Sequence, residues 1–204
     1  MSQPETDPPP PPPPLPSQDL QRSQIPQIRR IDKLVSGGQT GADRGALLAG
    51  IDLGLPIGGW MPCGARAEDG KIPETIAQFL HETASSGYEA RTGMNVRDGD
   101  GTLILSFEET LRSGSLRTQR IASEMGKPCL HLPLLQGEGT PFRDGQIDAW
   151  IRWLAAHEIR VLNVAGPRES REPGLQQRAR TAVAILIGAA RDAIRNSKAI
   201  HEDR

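Results

Sequence analysis

The chain predicts an α/β fold: a single Rossmann-like three-layer domain with a mainly parallel sheet of about five strands. Three observations carry that expectation. Short apolar runs alternate with segments of helical period from Ile31 onward. Glycine-rich polar loops collect after the apolar runs, where ligands sit in doubly wound sheets. The length, 204 residues, suits one domain with a substantial core.

In order, Ile31 to Ser36 reads as the first strand and Ala42 to Leu53 as a helix with a small-residue face at Ala46, Leu47, Ala49 and Gly50. Gly54 suits its stop. A second, glycine-containing strand is expected from Leu55 to Trp60, then a long polar loop from Met61 to Lys71. Pro73 fits the first turn of a short helix ending near His81. Tyr88 to Asp100 reads as irregular or short-helical. Thr102 to Phe107 (TLILSF) is the clearest strand. Helix Ser115 to Met125, strand Cys129 to Leu132, helix Asp144 to His157 and strand Arg160 to Val164 follow. Ile147, Trp150, Ile151 and Leu154 give the third of these its helical spacing. Pro173 opens a long C-terminal helix that frays after Arg195. The expected strand order is 2-1-3-4-5 or a close relative.

Residues 1–30 stand apart. Pro8 to Pro14, with Pro16 behind them, favour polyproline II in water, and the polar flanks cannot bury a core. We expect a disordered tail, open to a proline-motif-binding partner. The domain spans 31–195, and 196–204 form a C-terminal tail. A net charge of -1 gives no global field toward nucleic acid or a membrane. The longest apolar run, Ala182 to Ala190, falls short of the ~20 residues that span a bilayer. Cys63 and Cys129 make no disulfide framework, and no secretory signal opens the chain. A cytoplasmic protein is expected.

The chemistry gathers in the loops. Gly37, Gly38, Gln39, Thr40 and Gly41 follow the first strand. Their glycines admit a ligand to the backbone, and the next helix offers free N–H groups. Asp43 accepts from a hydroxyl or heterocycle in this reading. After the second strand, Arg66 suits an oxyanion, Glu68 and Asp69 suit ring nitrogens, and Trp60 either stacks on a flat ring or fills the core. Arg91, Thr92, Asn95 and Asp100 precede the third strand. Beyond it, Gly114, Ser115 and Thr118 surround a helix start and form a phosphate cradle. Gly166 and Arg168 follow the last strand. The loops match neither GxGxxG nor the P-loop pattern. The histidines show no catalytic grouping, so the balance lies against an enzyme and for a binder of a small phosphorylated ligand. The alternative is a hydrolase of a nucleotide or nucleotide-sugar, with Asp43, Glu68 or Asp69 as base.

Five segments together resemble a known family: SGGQTGADRGAL, GGWMPCGARAEDGKIPE, YEARTGMNVRDGDGTLIL, GSLRTQRIASEMGKPCL and LNVAGPRES. They are similar to the molybdenum cofactor carrier-like family, which is Rossmann-like and related to the LOG, lysine-decarboxylase-like superfamily. The resemblance covers about Ile31 to Ala190. It implies binding of molybdenum cofactor (molybdopterin), or of a related pterin or nucleotide-derived ligand, by a homo-oligomeric carrier. The LOG catalytic signature PGGxGTxxE is absent from this chain, which weighs against N-glycosidic cleavage.

Overall fold

The computed structural model describes residues 28–202. Most of the expected tail, 1–27, lies outside them. The elements are β1 (Lys33–Val35), α1 (Ala42–Asp52), β2 (Ile57–Gly58), β3 (Trp60–Met61), β4 (Arg66–Ala67), β5 (Gly70–Lys71), α2 (Glu74–Ala77), β6 (His81–Glu82), α3 (Tyr88–Asp98), β7 (Gly101–Ser106), α4 (Ser113–Glu124), β8 (Cys129–Pro133), α5 (Gln146–His157), β9 (Val161–Ala165) and α6 (Leu175–Glu202).

Five strands form one sheet in the order β2-β1-β9-β7-β8, and every pairing in it is parallel. The expected order of 2-1-3-4-5 is therefore corrected: the last strand enters between the first and the third. Burial explains the placement. Every residue of β7 is buried, and so are Leu162, Asn163 and Val164 of β9. Strand β8 is half-buried and ends in Pro133, which lacks a ladder donor and suits an edge. Counted from β9 as the first strand, the order reads 3-2-1-4-5, the order of a Rossmann half.

Side-chain alternation along β7 divides the layers. Leu103 and Leu105 join the main core, with Ala42, Ala46 and Ala49 of α1, Trp150 and Leu154 of α5, and Ala179, Val183 and Leu186 of α6. Helices α1, α5 and α6 thus cover one face, and α3 and α4 pack on each other over the second. Trp150 is fully buried, yet its indole N–H reaches the Leu186 carbonyl at 2.9 Å, so α5 and α6 are tied without an orphaned donor. Ile28 also packs against this core.

The second apolar run splits. Gly59 adopts φ 125°, so β2 stays in the main sheet and β3 leaves to pair with β6. The expected polar loop 61–71 holds an antiparallel hairpin of β4 and β5. Met61, Ile72, Ile76 and Leu80 of this region pack with Leu47 into a second, smaller core. Residues 88–98 form a full helix, and the C-terminal helix continues to Glu202.

Candidate ligand-binding site

Order reverses between β9 and β7, one neighbour leading left and the other right. A crevice opens there beyond the strand ends. It holds a cavity of about 790 Å³, walled by the loop after β1, the start of α3, the β7–α4 connection and the loop after β9. Of the residues expected at a site, Gln39, Asp43, Arg91, Thr92 and Asn95 line it on one side. Gly114, Ser115, Thr118, Gly166 and Arg168 line it on the other.

The floor is a buried ion pair. Arg91 Nη1 lies 2.7 Å from Asp43 Oδ2, with the two side chains 13% and 3% exposed. Burial pushes the Asp43 carboxyl above its usual range, against the pull of Arg91 and of the Gln39 and Gly37 amides. Gly37 makes the pair possible: a Cβ there would fall 1.7 Å from Arg91 Nη1. Gln39 Oε1 accepts the Thr40 and Glu68 amides at 3.0 and 2.9 Å, which turns its Nε2 the other way. That Nε2 and Arg91 Nε are buried donors with no protein partner. Asn95 is occupied twice over, accepting the Trp60 N–H at 2.8 Å and donating to the Trp60 carbonyl at 3.0 Å.

Other expected residues sit elsewhere. A Cβ on Gly38 would meet Ile72 and Leu80 at 2.8 and 2.9 Å, so the space above it is core and not ligand. Thr40 and Glu68 bond to each other, and Glu68 also takes the Ser170 N–H and hydroxyl. Despite partial burial, the Ser170 and Thr40 bonds hold the Glu68 carboxyl below its usual range. Asp69 forms a fork with Arg44 at 2.5 and 3.0 Å. These carboxylates clamp the hairpin to the loops after β1 and β9. Arg66 is exposed on the hairpin, outside the cavity. Trp60 also lies outside, its indole N–H on Asp98 at 2.6 Å and its ring against His81. Asp100 is at the N-terminal ends of the central strands β7 and β9, away from the cavity, where it accepts the Arg160 and Val161 amides at 2.9 and 2.7 Å. A sequence pattern places such residues in the right loop but gives no direction to the side chain.

The start of α4 also lines the cavity. Its first turn has no side-chain cap, and while the Ser115 and Leu116 amides donate to the Arg112 carbonyl at 3.1 and 3.2 Å, those of Ser113 and Gly114 have no partner among the described residues. Ser115 is 6% exposed and makes no side-chain hydrogen bond among the described residues, while Thr118 is turned back onto the Gly114 carbonyl at 3.0 Å. Nothing lies within 4 Å of a Cβ built on Gly114. Arg112, Arg168 and Arg171 line the same cavity. None of the three forms a salt bridge among the described residues. By contrast the start of α6 is already filled, because Glu169 accepts the Gly174 and Gln176 amides at 2.6 and 2.7 Å. Gly166 lets the loop after β9 pass close to β7: a Cβ there would meet the Leu105 carbonyl at 2.2 Å.

Sequence reasoning missed three participants. Tyr88 lines the cavity with the Arg168 guanidinium 4.5 Å from its ring centre. Glu172 accepts the Phe107 N–H at 2.5 Å, and burial raises its carboxyl against that bond and the Glu108 amide. Ser106 Oγ, on the cavity wall, lies 2.7 Å from His131 Nε2 and 2.9 Å from the Glu108 carbonyl. Burial lowers the His131 pKa. The parallel register of β7 and β8 makes this pair, and no local pattern announces it. Among the described residues no three His, Cys, Asp or Glu side chains gather to hold a metal ion. No helix there is long and apolar enough to cross a membrane.

Fold and cavity define an α/β domain built to bind at its switch point. The chain belongs to the circularly permutated YpsA SLOG family, whose model matches residues 34–187. The permutation agrees with the strand order counted from β9. A crystal structure of a putative molybdenum carrier protein from Syntrophus aciditrophicus SB is 40% identical, with a TM-score of 0.66 over 78% of this chain and 96% of that one. No curated protein matches.

Proposed function

We propose that the protein binds and carries a small phosphorylated ligand, molybdenum cofactor or a related pterin or nucleotide derivative. One observation supports this most: three arginines that form no salt bridge among the described residues share a cavity with the uncapped start of α4. A phosphate satisfies both, taking the α4 amides as donors and the guanidiniums as counter-charge. The carrier similarity adds molybdenum as a candidate cargo. In this reading the arginines and the α4 amides grip the oxyanion of such a cargo. A homo-oligomeric state, a cytoplasmic setting and a partner for the proline-rich segment belong to the same proposal.

The test is native mass spectrometry of gently purified protein, with metal analysis on the same sample. A bound pterin phosphate with matching molybdenum supports the carrier. A bound nucleotide without molybdenum moves the ligand class. Arg112→Ala is expected to weaken binding of the recovered ligand by about 1.5–3 kcal/mol, the range of a charge-assisted bond. An unchanged affinity removes the α4 cradle.

The second reading is a hydrolase of a nucleotide or nucleotide-sugar. What favours it is the Ser106–His131 contact at the cavity wall. Of its candidate bases, Asp43 pairs with Arg91, Glu68 with Thr40 and Ser170, and Asp69 with Arg44. Release of base or phosphate from a nucleotide panel, lost in Ser106→Ala, is its signature.

A further inference from the structure

A phosphate is small beside a cavity of about 790 Å³, a volume typical of a site for a whole organic ligand. The anion-binding groups cluster at the α4 side. On the wall of the same cavity, at the first residue of α3, stands Tyr88. It is the chain's only tyrosine and the only aromatic residue on the cavity wall. Its ring is half-buried, and its hydroxyl makes no hydrogen bond among the described residues. One ring face carries the Arg168 guanidinium. Arg168 has no salt bridge to anchor it there, and a single cation–π contact at a partly exposed site is weak beside the stacking of a flat heterocycle.

Trp60, the aromatic residue that the sequence offers for stacking, is held outside the cavity by Asp98, His81 and Arg97. Tyr88 therefore has no competitor for the role. We propose that Tyr88 is the ring platform of the site: the ligand's planar heterocycle stacks on its face in place of Arg168, which turns to the ligand's anionic group. The inference rests on the phosphate-site reading above and adds to it the residue that discriminates a ring-bearing phosphate from a plain sugar phosphate. The hydroxyl is not part of the argument, so a phenylalanine serves equally well.

The experiment is calorimetric titration of the full chain with AMP and with ribose 5-phosphate, which shares the phosphate and sugar but lacks the ring. The wild type is expected to prefer AMP by about tenfold or more, the worth of one stacked base. Tyr88→Phe retains that preference. Tyr88→Ala loses it, with AMP binding falling about tenfold. Thermal melts of each variant check the fold, since Tyr88 opens a helix and lies outside both hydrophobic cores. Equal wild-type affinity for the two probes, or an AMP preference that survives Tyr88→Ala, overturns the platform and leaves the phosphate site standing. Binding of neither probe overturns the phosphate site and the platform with it.

Discussion

At the scale of single residues, the centre of this site is a contact that a side chain would forbid. Arg91 reaches Asp43 through the space above Gly37. Removing one partner of a buried pair strands the other charge, at a cost of about 3–5 kcal/mol. Arg91→Ala is expected to lose that much stability in urea melts. Gly37→Ala is expected to lose a similar amount, because its Cβ occupies the guanidinium's place. The double variant should then cost little more than either alone, since both delete one interaction. Additive losses would show that Gly37 serves some other end.

At the scale of elements, α4 and α6 begin beside the same crevice and differ in what fills them. Glu169 caps α6 from within the chain, whereas α4 has no side-chain cap and keeps the Ser113 and Gly114 amides unfilled among the described residues. A carboxylate placed at the start of α4 should act on stability and binding in opposite directions. Gly114→Asp meets no neighbouring atom and complements the helix dipole, so stability is expected to hold or rise by about 0.3–1 kcal/mol. The same charge fills the cradle and repels phosphate, so phosphate-ligand affinity is expected to fall at least tenfold in calorimetry, about 1.4 kcal/mol or more. Retained affinity would place the anion elsewhere. This element was legible in part. The segment GSLRT showed a helix start rich in small polar residues, but nothing local showed that Glu169 would cap the neighbouring helix and spare this one.

For the whole molecule, the defining feature is the order in which the chain supplies the strands of its sheet. Counting from β9 turns the observed order into that of a Rossmann half. A permutant that begins ahead of β9 at Glu158, with a flexible linker joining Arg195 to Ile28, should therefore fold. Its far-ultraviolet dichroism is expected to match the parent, with one cooperative thermal transition. A molten or aggregated permutant would show that the natural chain order is itself needed, through the docking of α6 after the sheet is built.

The sequence by itself determined the alternation of strands and helices, the run of Thr102 to Phe107 as a strand, offset by one residue from the observed β7, and the collection of glycine and polar residues in loops after strands. Those follow from hydrophobic period and turn chemistry, which act over a few residues. Only the tertiary structure decided that β9 inserts beside β1, that Glu68 and Asp69 turn to Ser170 and Arg44, that Trp60 leaves the site while Tyr88 enters it, and that Ser106 meets His131. Each of these pairs residues far apart in the chain, and their meeting is set by sheet register and helix packing. A local pattern fixes which groups a loop carries; the partners available across the fold fix which of them remain for a ligand.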